Sequence, residues 1–210
     1  MNKINYQKEL ERLLIGIEKS VNVPSLMLHS CCAPCSSYVL EYLCRYFRIT
    51  VLYYNPNIMT VSEYKKRVEE QLRLIAVYNE EGRGHPIEVM EGDYEPDRFL
   101  ETVKGLEGCA EGGERCFRCY EMRLRKTAEA ALQGRFDYFT TTLTISPMKN
   151  AEKINEIGRY LEAEYQTAWL VSDFKKRDGY KRSIELSHKY NLYRQDFCGC
   201  AFSKKAKLHW

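Results

Sequence analysis

Five short apolar runs alternate with helical patterns along the chain, and this alternation constrains the fold more than any other feature. The runs cover residues 25–30, 49–54, 87–90, 136–142 and 168–171. Each is short enough for a strand and is followed by a segment with helical spacing of apolar side chains. Strands that alternate with helices pair in parallel and are covered on both faces. The sequence therefore predicts an α/β fold, an open doubly wound parallel sheet of about five strands with helices on both faces.

We expect a single α/β domain over residues 1–210. Its N-terminal helix would lie within residues 1–24, where four apolar side chains repeat with helical spacing. A cysteine-containing loop and helix start would occupy residues 105–120, and a second cysteine-containing segment would occupy residues 191–210. The sequence shows no internal repeat, low-complexity segment or linker that would divide this domain.

Nine cysteines occur among the 210 residues, and disulfides do not explain them. A chain of this length buries enough apolar surface to fold without cross-links. Residues 1–10 carry charge and lack the apolar core of a secretory signal, and no run reaches the roughly 20 apolar residues of a membrane span. We therefore expect a cytoplasmic protein with no membrane partner. In that reducing compartment an odd number of clustered cysteines indicates metal or redox chemistry.

Seven of the nine cysteines fall into three groups. The first group is Cys31, Cys32 and Cys35, the second is Cys116 and Cys119, and the third is Cys198 and Cys200. The first group follows the first predicted strand, where the N-terminus of the next helix favours thiolates. The C-x-x-C spacing of the second group is shared by zinc, iron–sulfur and dithiol sites. A disulfide across the single residue of the third group would be strained and easily reduced, which suits a pair that carries two electrons.

Two cysteines lie outside these groups. Cys44 continues the apolar helical spacing of its neighbours, so we predict a core position for it. Cys109 lies in a glycine-rich loop and receives no role. A structural zinc site remains an alternative for the groups. The two knuckles of a zinc ribbon usually stand about 15–20 residues apart, whereas Cys35 and Cys116 are 81 positions apart, so only the fold can bring these groups together.

Six strings of the sequence closely resemble the cobalamin-independent epoxyqueuosine reductases. They lie in order between about Ser25 and Ser203, at residues 28–38, 53–58, 112–124, 136–150, 173–183 and 192–203. The resemblance implies an oxidoreductase with a [4Fe-4S] cluster that removes the epoxide oxygen from epoxyqueuosine at the wobble position of tRNA and gives queuosine. Matched residue by residue, it implies a cluster held by Cys31, Cys32, Cys116 and Cys119 and a redox-active pair formed by Cys198 and Cys200.

The implied reaction consumes two electrons and two protons, and a group near the substrate must polarise or protonate the departing oxygen. The dithiol of Cys198 and Cys200 could supply both electrons as it closes to a disulfide, or an unidentified electron donor could feed the cluster. We predict an iron site open to the substrate, and with it an additional iron ion. Cys35 is the candidate ligand or thiol at that site.

Candidate substrate contacts are the polar side chains that follow the predicted strands, because ligands of open parallel sheets bind outside the carboxyl ends of the strands. They are Asn55, Asn57, Ser146, Lys149, Asp173 and Lys175, together with Tyr193 and Arg194 before the third cysteine group. Each also has a structural alternative as a turn, capping or core residue. The tRNA partner would be met by five cations within residues 175–182 and by exposed aromatic rings that stack on bases.

Two other functions remain open from the residues alone. ATP-dependent tRNA sulfur-transfer enzymes also combine a parallel α/β domain with cysteine clusters. They carry a glycine-rich pyrophosphate loop after the first strand, where this chain has HSCCAPC at residues 29–35. A zinc-stabilised RNA-binding module would use the same cysteines without catalysis.

Overall fold

The computed structural model describes residues 4–206, and strands and helices alternate there as the sequence predicts. The strands are β1 (Ser25–His29), β2 (Arg48–Tyr53), β3 (Glu88–Glu91), β4 (Tyr138–Thr141) and β5 (Ala168–Trp169). The helices are α1 (Tyr6–Glu18), α2 (Ala33–Leu43), α3 (Val61–Glu80), α4 (Pro96–Thr102), α5 (Glu114–Gln133), α6 (Ala151–Tyr165), α7 (Gly179–Lys189) and α8 (Ala201–Ala206). No helix within residues 4–206 is long and apolar enough to cross a membrane.

The five strands form one parallel sheet in the order β3-β2-β1-β4-β5. The chain adds β2 and β3 on one side of β1 and then returns to add β4 and β5 on the other side. The strand order therefore reverses between β1 and β4. In sheets of this kind the loops at such a reversal separate and leave a crevice at the carboxyl ends of the strands.

Helices cover both faces of the sheet, because successive residues of a strand face opposite sides. Leu28 of β1 belongs to an apolar cluster with Leu40 of α2, whereas the adjacent Met27 belongs to a second cluster with Leu124 of α5. The predicted doubly wound fold is confirmed. Cys44, only 1% exposed, lies in the first of these clusters, so its predicted core position is confirmed.

Two strands are shorter than the sequence predicts. β4 ends at Thr141, where the hydroxyl accepts a hydrogen bond from the backbone N–H of Leu143 and begins a 3-10 turn over Thr142–Ile145. β5 keeps only two paired residues, Ala168 and Trp169. The N–H of Leu170 still donates to the carbonyl of Phe139, but the carbonyl of Leu170 accepts from the hydroxyl of Thr140, so a side chain replaces the next ladder bond.

The sequence analysis predicts only a cysteine-containing segment over residues 191–210, and the structure has the short helix α8 there, after the third cysteine group. The first turn of α8 is tied to that group, since the backbone N–H of Ser203 donates to the sulfur of Cys200. The sequence has little apolar periodicity at this position. Contact with the cysteines, not local spacing, starts the helix.

Candidate metal and redox centre

The first cysteine group lies at the carboxyl end of β1, where the chain enters α2. Cys32 is extended and Ala33 begins the helix, so the adjacent Cys31 and Cys32 are outside regular structure and can face one centre. The sulfur atoms of Cys31, Cys32 and Cys35 all lie within 4.8 Å of one another. Three soft thiol donors at this separation could hold a metal ion.

Hydrogen bonds divide the protons unequally within the first group. The thiols of Cys32 and Cys35 donate to the sulfur of Cys31 and hold the pKa of Cys31 well below its usual value. The same bonds raise the pKa of Cys32 to about 11 and that of Cys35 well above its usual value. Cys31 is also held by the 3-10 turn after β4, because its N–H donates to Thr142 Oγ1 at 3.2 Å. The group therefore presents one thiolate at the point where the strand order reverses.

The second cysteine group lies in the first turns of α5. Cys116 accepts a hydrogen bond from the N–H of Gly112 at 3.2 Å, and burial raises the pKa of Cys119 to about 11. Both cysteines line a cavity of about 30 Å³, the smaller cavity, which Cys198 and Cys200 also line. The second and third groups therefore face each other.

The sulfur atoms of Cys198 and Cys200 in the third group lie 3.4 Å apart, and both residues are free thiols. The hydrogen bond between the two sulfurs holds the pKa of Cys198 well below its usual value and raises the pKa of Cys200. Gly199 between them has a φ of +107°, and a Cβ there would lie 2.8 Å from Ile58 Cγ1. Only glycine fits this turn, which explains the residue between the two cysteines.

The loop after β2 and helix α3 hold the third group in place. The buried guanidinium of Arg67 donates to the carbonyls of Phe197 and Cys198, at 3.3 Å each. Asn57 Nδ2 donates to the same Cys198 carbonyl at 3.1 Å, and the N–H of Met59 donates to the carbonyl of Gly199 at 3.3 Å. These bonds place the pair between the first and second groups.

A second cavity, the larger cavity, has a volume of about 370 Å³ and lies beside the first group. Its lining includes Cys32, Cys35, Ser146, Lys149, Arg194 and Cys198. Lys149 and Cys198 also line the smaller cavity, so all three cysteine groups meet around these two residues. Burial opposes the charge of Lys149, but Cys31 and Cys35 outweigh it and raise the pKa of Lys149. The lysine therefore stays protonated beside the thiols.

A second cation, Arg123 of α5, lies inside the site with 3% of its surface exposed. Its Nε donates to His29 Nε2 at 3.2 Å, and its Nη2 donates to Asn55 Oδ1. Because an arginine can only donate, this contact places the proton of His29 on Nδ1, 2.7 Å from Thr141 Oγ1, while Nε2 also lies 3.2 Å from the carbonyl oxygen of Tyr54. Burial, followed by the charge of Arg123, lowers the pKa of His29 to about 3. The imidazole is therefore neutral.

The sequence analysis missed Arg123, Arg67 and His29. Arg123 lies four positions after Cys119 and therefore on the same helix face, which is the one signal that could have found it. Arg67 lies on α3 without any nearby motif. His29 precedes the first cysteine group but looks like the end of a strand.

The predicted substrate contacts are distributed over several places. Ser146, Lys149 and Arg194 line the larger cavity, and Asn57 lines the smaller one. Asn55 is buried and also donates to the carbonyl of Ser30. Asp173 and Lys175 form an ion pair of 2.9 Å beside a third cavity that Lys149 also lines. Tyr193 lies apart from these cavities, with its hydroxyl donating to Glu63.

The basic segment 175–182 is partly neutralised by acidic neighbours. Lys175 pairs with Asp173, Arg177 with Glu11, and Arg182 with Glu41 and Glu185. Lys176 and Lys181 are exposed. Lys176 and Lys181 are thus the cations of this segment most available to an anionic partner.

Cys109, which received no role from the sequence, lies in the loop before α5, where its carbonyl accepts a hydrogen bond from Arg115.

A doubly wound parallel α/β domain with thiol groups gathered at its strand-order reversal defines a class of metal-binding or redox proteins. The donor set fits either zinc or an iron–sulfur cluster, since both take thiolates.

Comparison with known sequences identifies the family. The sequence model described as "Epoxyqueuosine reductase QueH" matches residues 26–206. A Staphylococcus epidermidis protein of that name is 44% identical over 203 residues, which cover 96% of this chain and 85% of the relative. Proteins of the same name from Streptococcus pyogenes serotype M1 and Thermotoga maritima are 42% and 32% identical, over 97% and 85% of this chain and 79% and 90% of the relatives. The chain belongs to the QueH family of epoxyqueuosine reductases, which are oxidoreductases.

Proposed function

We propose that this protein reduces epoxyqueuosine at the wobble position of tRNA to queuosine, with loss of the epoxide oxygen as water. The observation that carries the proposal is the meeting of the three cysteine groups around Lys149 and Cys198, in a member of the QueH family. An epoxide reductase needs a source of two electrons and a proton donor beside the same substrate cavity. The third group would supply the two electrons, and Lys149 would supply the proton.

Cys31, Cys32, Cys116 and Cys119 would hold a [4Fe-4S] cluster, and when bound it supplies one-electron transfer. Arg123 supports this set because it interacts with both Cys119 and Cys31, one residue from each pair. Cys35 is the remaining sulfur of the first group and also lines the larger cavity. It would serve as the protein ligand of an additional iron ion at the substrate.

The larger cavity would receive the modified base. Cys198 lies on its wall as the thiolate of the third group. Closing the Cys198 thiolate and the Cys200 thiol to a disulfide releases two electrons and one proton, and loss of the epoxide oxygen as water takes up the two electrons, this proton and a second proton. Lys149 Nζ holds a proton at the same wall and would donate it to the departing oxygen. An electron donor outside this chain must then reduce the disulfide before the next turnover.

The tRNA would approach over the exposed cations next to the larger cavity, which are Lys176, Lys181 and Arg194. Charge reversal of Lys176 and Lys181 together should raise the KM for tRNA severalfold and weaken its salt dependence, with kcat unchanged. Reversal of the exposed Lys65 on α3 is the matched control. An unchanged KM in the double variant would rule out this approach.

The central experiment is anaerobic purification followed by iron and sulfide analysis, a visible spectrum and an assay on epoxyqueuosine tRNA with a chemical reductant. We expect iron and sulfide in equal amounts, broad absorbance near about 400 nm, and queuosine as product. Cys31→Ser should lose iron, whereas Lys149→Gln should keep iron and lower kcat by about 10²-fold. Bound zinc without iron, or no queuosine from an iron-loaded protein, would refute the proposal.

A further inference from the structure

Arg123 is a fully buried cation whose hydrogen-bond partners are neutral. Its guanidinium donates to the imidazole of His29 and to the amide oxygen of Asn55. In the part of the chain that the structure describes, Arg123 forms no ion pair with a carboxylate. By contrast, Arg118 and Arg125 on the same helix each pair with glutamates. The positive charge of Arg123 is permanent, because a guanidinium keeps its proton in proteins.

We therefore expect an anion close to the buried guanidinium of Arg123. Burying an unpaired charge is strongly unfavourable, and buried arginines are for this reason almost always paired. The imidazole of His29 does not serve, because its Nε2 accepts from Arg123 as a neutral group. Arg123 lines the smaller cavity together with Cys119 and Cys198. Burial lowers the pKa of Arg123, but Cys119, Cys31 and Cys198, one from each cysteine group, outweigh it and raise the pKa. The guanidinium is therefore aimed at the common centre of the three groups.

We propose that Arg123 is the counter-cation of the thiolate-bound iron–sulfur cluster and raises its reduction potential. This inference rests on the proposed function, since it requires the cluster there. A cluster bound by four thiolates is anionic and gains a further negative charge on reduction. A fixed cation beside it stabilises the reduced form more than the oxidised form. Arg123 is thus a positioning residue that acts on electron transfer through the cluster, without contact with the substrate.

Two substitutions separate charge from shape. Arg123→Lys keeps the positive charge and loses the planar fork, whereas Arg123→Gln keeps a hydrogen-bond donor and loses the charge. Arg125→Gln is the matched control. It removes one positive charge from the same helix, but Arg125 faces Glu121 and Glu164 on the outer side of the site.

The measurement is a redox titration of the anaerobically purified full chain, followed by visible absorbance and electron paramagnetic resonance, together with iron per chain and thermal unfolding. We expect Arg123→Gln to lower the ratio of reduced to oxidised cluster at a fixed potential about tenfold, which is a shift of about 59 mV for a one-electron couple. Arg123→Lys should shift by much less, and Arg125→Gln should match the parent.

The results that overturn the inference are specific. It fails if Arg123→Gln titrates like the parent, or if the lysine and glutamine variants shift equally. If Arg123→Gln retains no iron, the comparison passes to iron uptake on reconstitution. Uptake by Arg123→Lys alone supports the charge argument, and equal loss in both variants refutes it. If the parent shows an iron–sulfur spectrum and turnover but the variants have the same reduction potential as the parent, only this inference is refuted. If the parent contains no iron, the proposed function is refuted as well.

Discussion

Replacing Arg67 by methionine should release the third cysteine group from the body of the protein. Arg67 is 2% exposed, and its Nη atoms donate to the carbonyls of Phe197 and Cys198, while the guanidinium stacks over the ring of Phe197 at 5.3 Å. Its Nε is held by Glu63 at 2.7 Å. Methionine fills part of this volume but cannot donate. The bonds from Asn57 and Met59 to the segment remain, so the segment should open locally and not unfold the domain.

The size of this effect follows from the lost contacts. Hydrogen bonds from a charged donor contribute about 1.5–3 kcal/mol each, and the two bonds of 3.3 Å belong at the lower end of that range. The ring contact adds about 0.5–1 kcal/mol, and the packing of methionine returns part of the loss. A net loss of about 3 kcal/mol corresponds to roughly a hundredfold increase in opening of the segment.

Two assays on metal-free protein report this opening. Hydrogen exchange at the Met59 amide measures it directly, because that amide donates to the carbonyl of Gly199. Alkylation of Cys200, which is 5% exposed, measures it chemically. We expect both rates to rise about a hundredfold in Arg67→Met and to stay at the parent value in Lys65→Met, an exposed substitution on the same helix. Unchanged rates at Met59 and Cys200, with a lower unfolding temperature, would show that Arg67 supports the fold and not the segment.

Three further predictions concern the scaffold. In Gly158→Ala the new Cβ would overlap the buried indole of Trp169, so the free energy of unfolding in urea should fall by about 2 kcal/mol; an unchanged value would mean that α6 shifts freely on the sheet. Cys44→Ala should lower the free energy of unfolding by about 1–2 kcal/mol but leave iron per chain unchanged, and a loss of iron would contradict its core role. Burial raises the pKa of Glu41, but two arginines outweigh this and hold it below its usual 4.5. Its ion pairs therefore stabilise the fold above that pH, so the deficit of Glu41→Gln should be largest at pH 7 and shrink as the pH falls through the folded-state pKa; a deficit independent of pH would refute the ion-pair argument.

Local spacing was sufficient to predict most of the secondary structure. The N-terminal helix predicted within residues 1–24 is α1, and the helix start predicted within residues 105–120 is the start of α5 at Glu114. The predicted length was less accurate for β5, because the length of a strand depends on its pairing with a neighbouring strand. The sequence prediction missed α8, whose start depends on contact with Cys200. Periodicity reports burial along one segment, and these two elements depend on a second segment.

The candidate site was likewise only partly predictable from the sequence. The three cysteine groups are visible as strings, because the members of each group follow one another closely in the sequence. Their meeting is not visible, since Cys35 and Cys116 are 81 positions apart and only the reversal of strand order between β1 and β4 brings these segments to one edge. Among the arginines of α5, only its position four residues after Cys119 sets the buried Arg123 apart from the exposed Arg118.

The sequence by itself determined the α/β class, the family and the candidate thiols, because each of these is written in local spacing or in short strings. The tertiary structure alone decided which cations face those thiols. Arg123 is buried because α5 packs one particular face on the sheet, and Arg67 reaches the third group because the chain returns over α3. Charge acts through space, and the distances through which it acts are set by packing between segments that are remote in sequence.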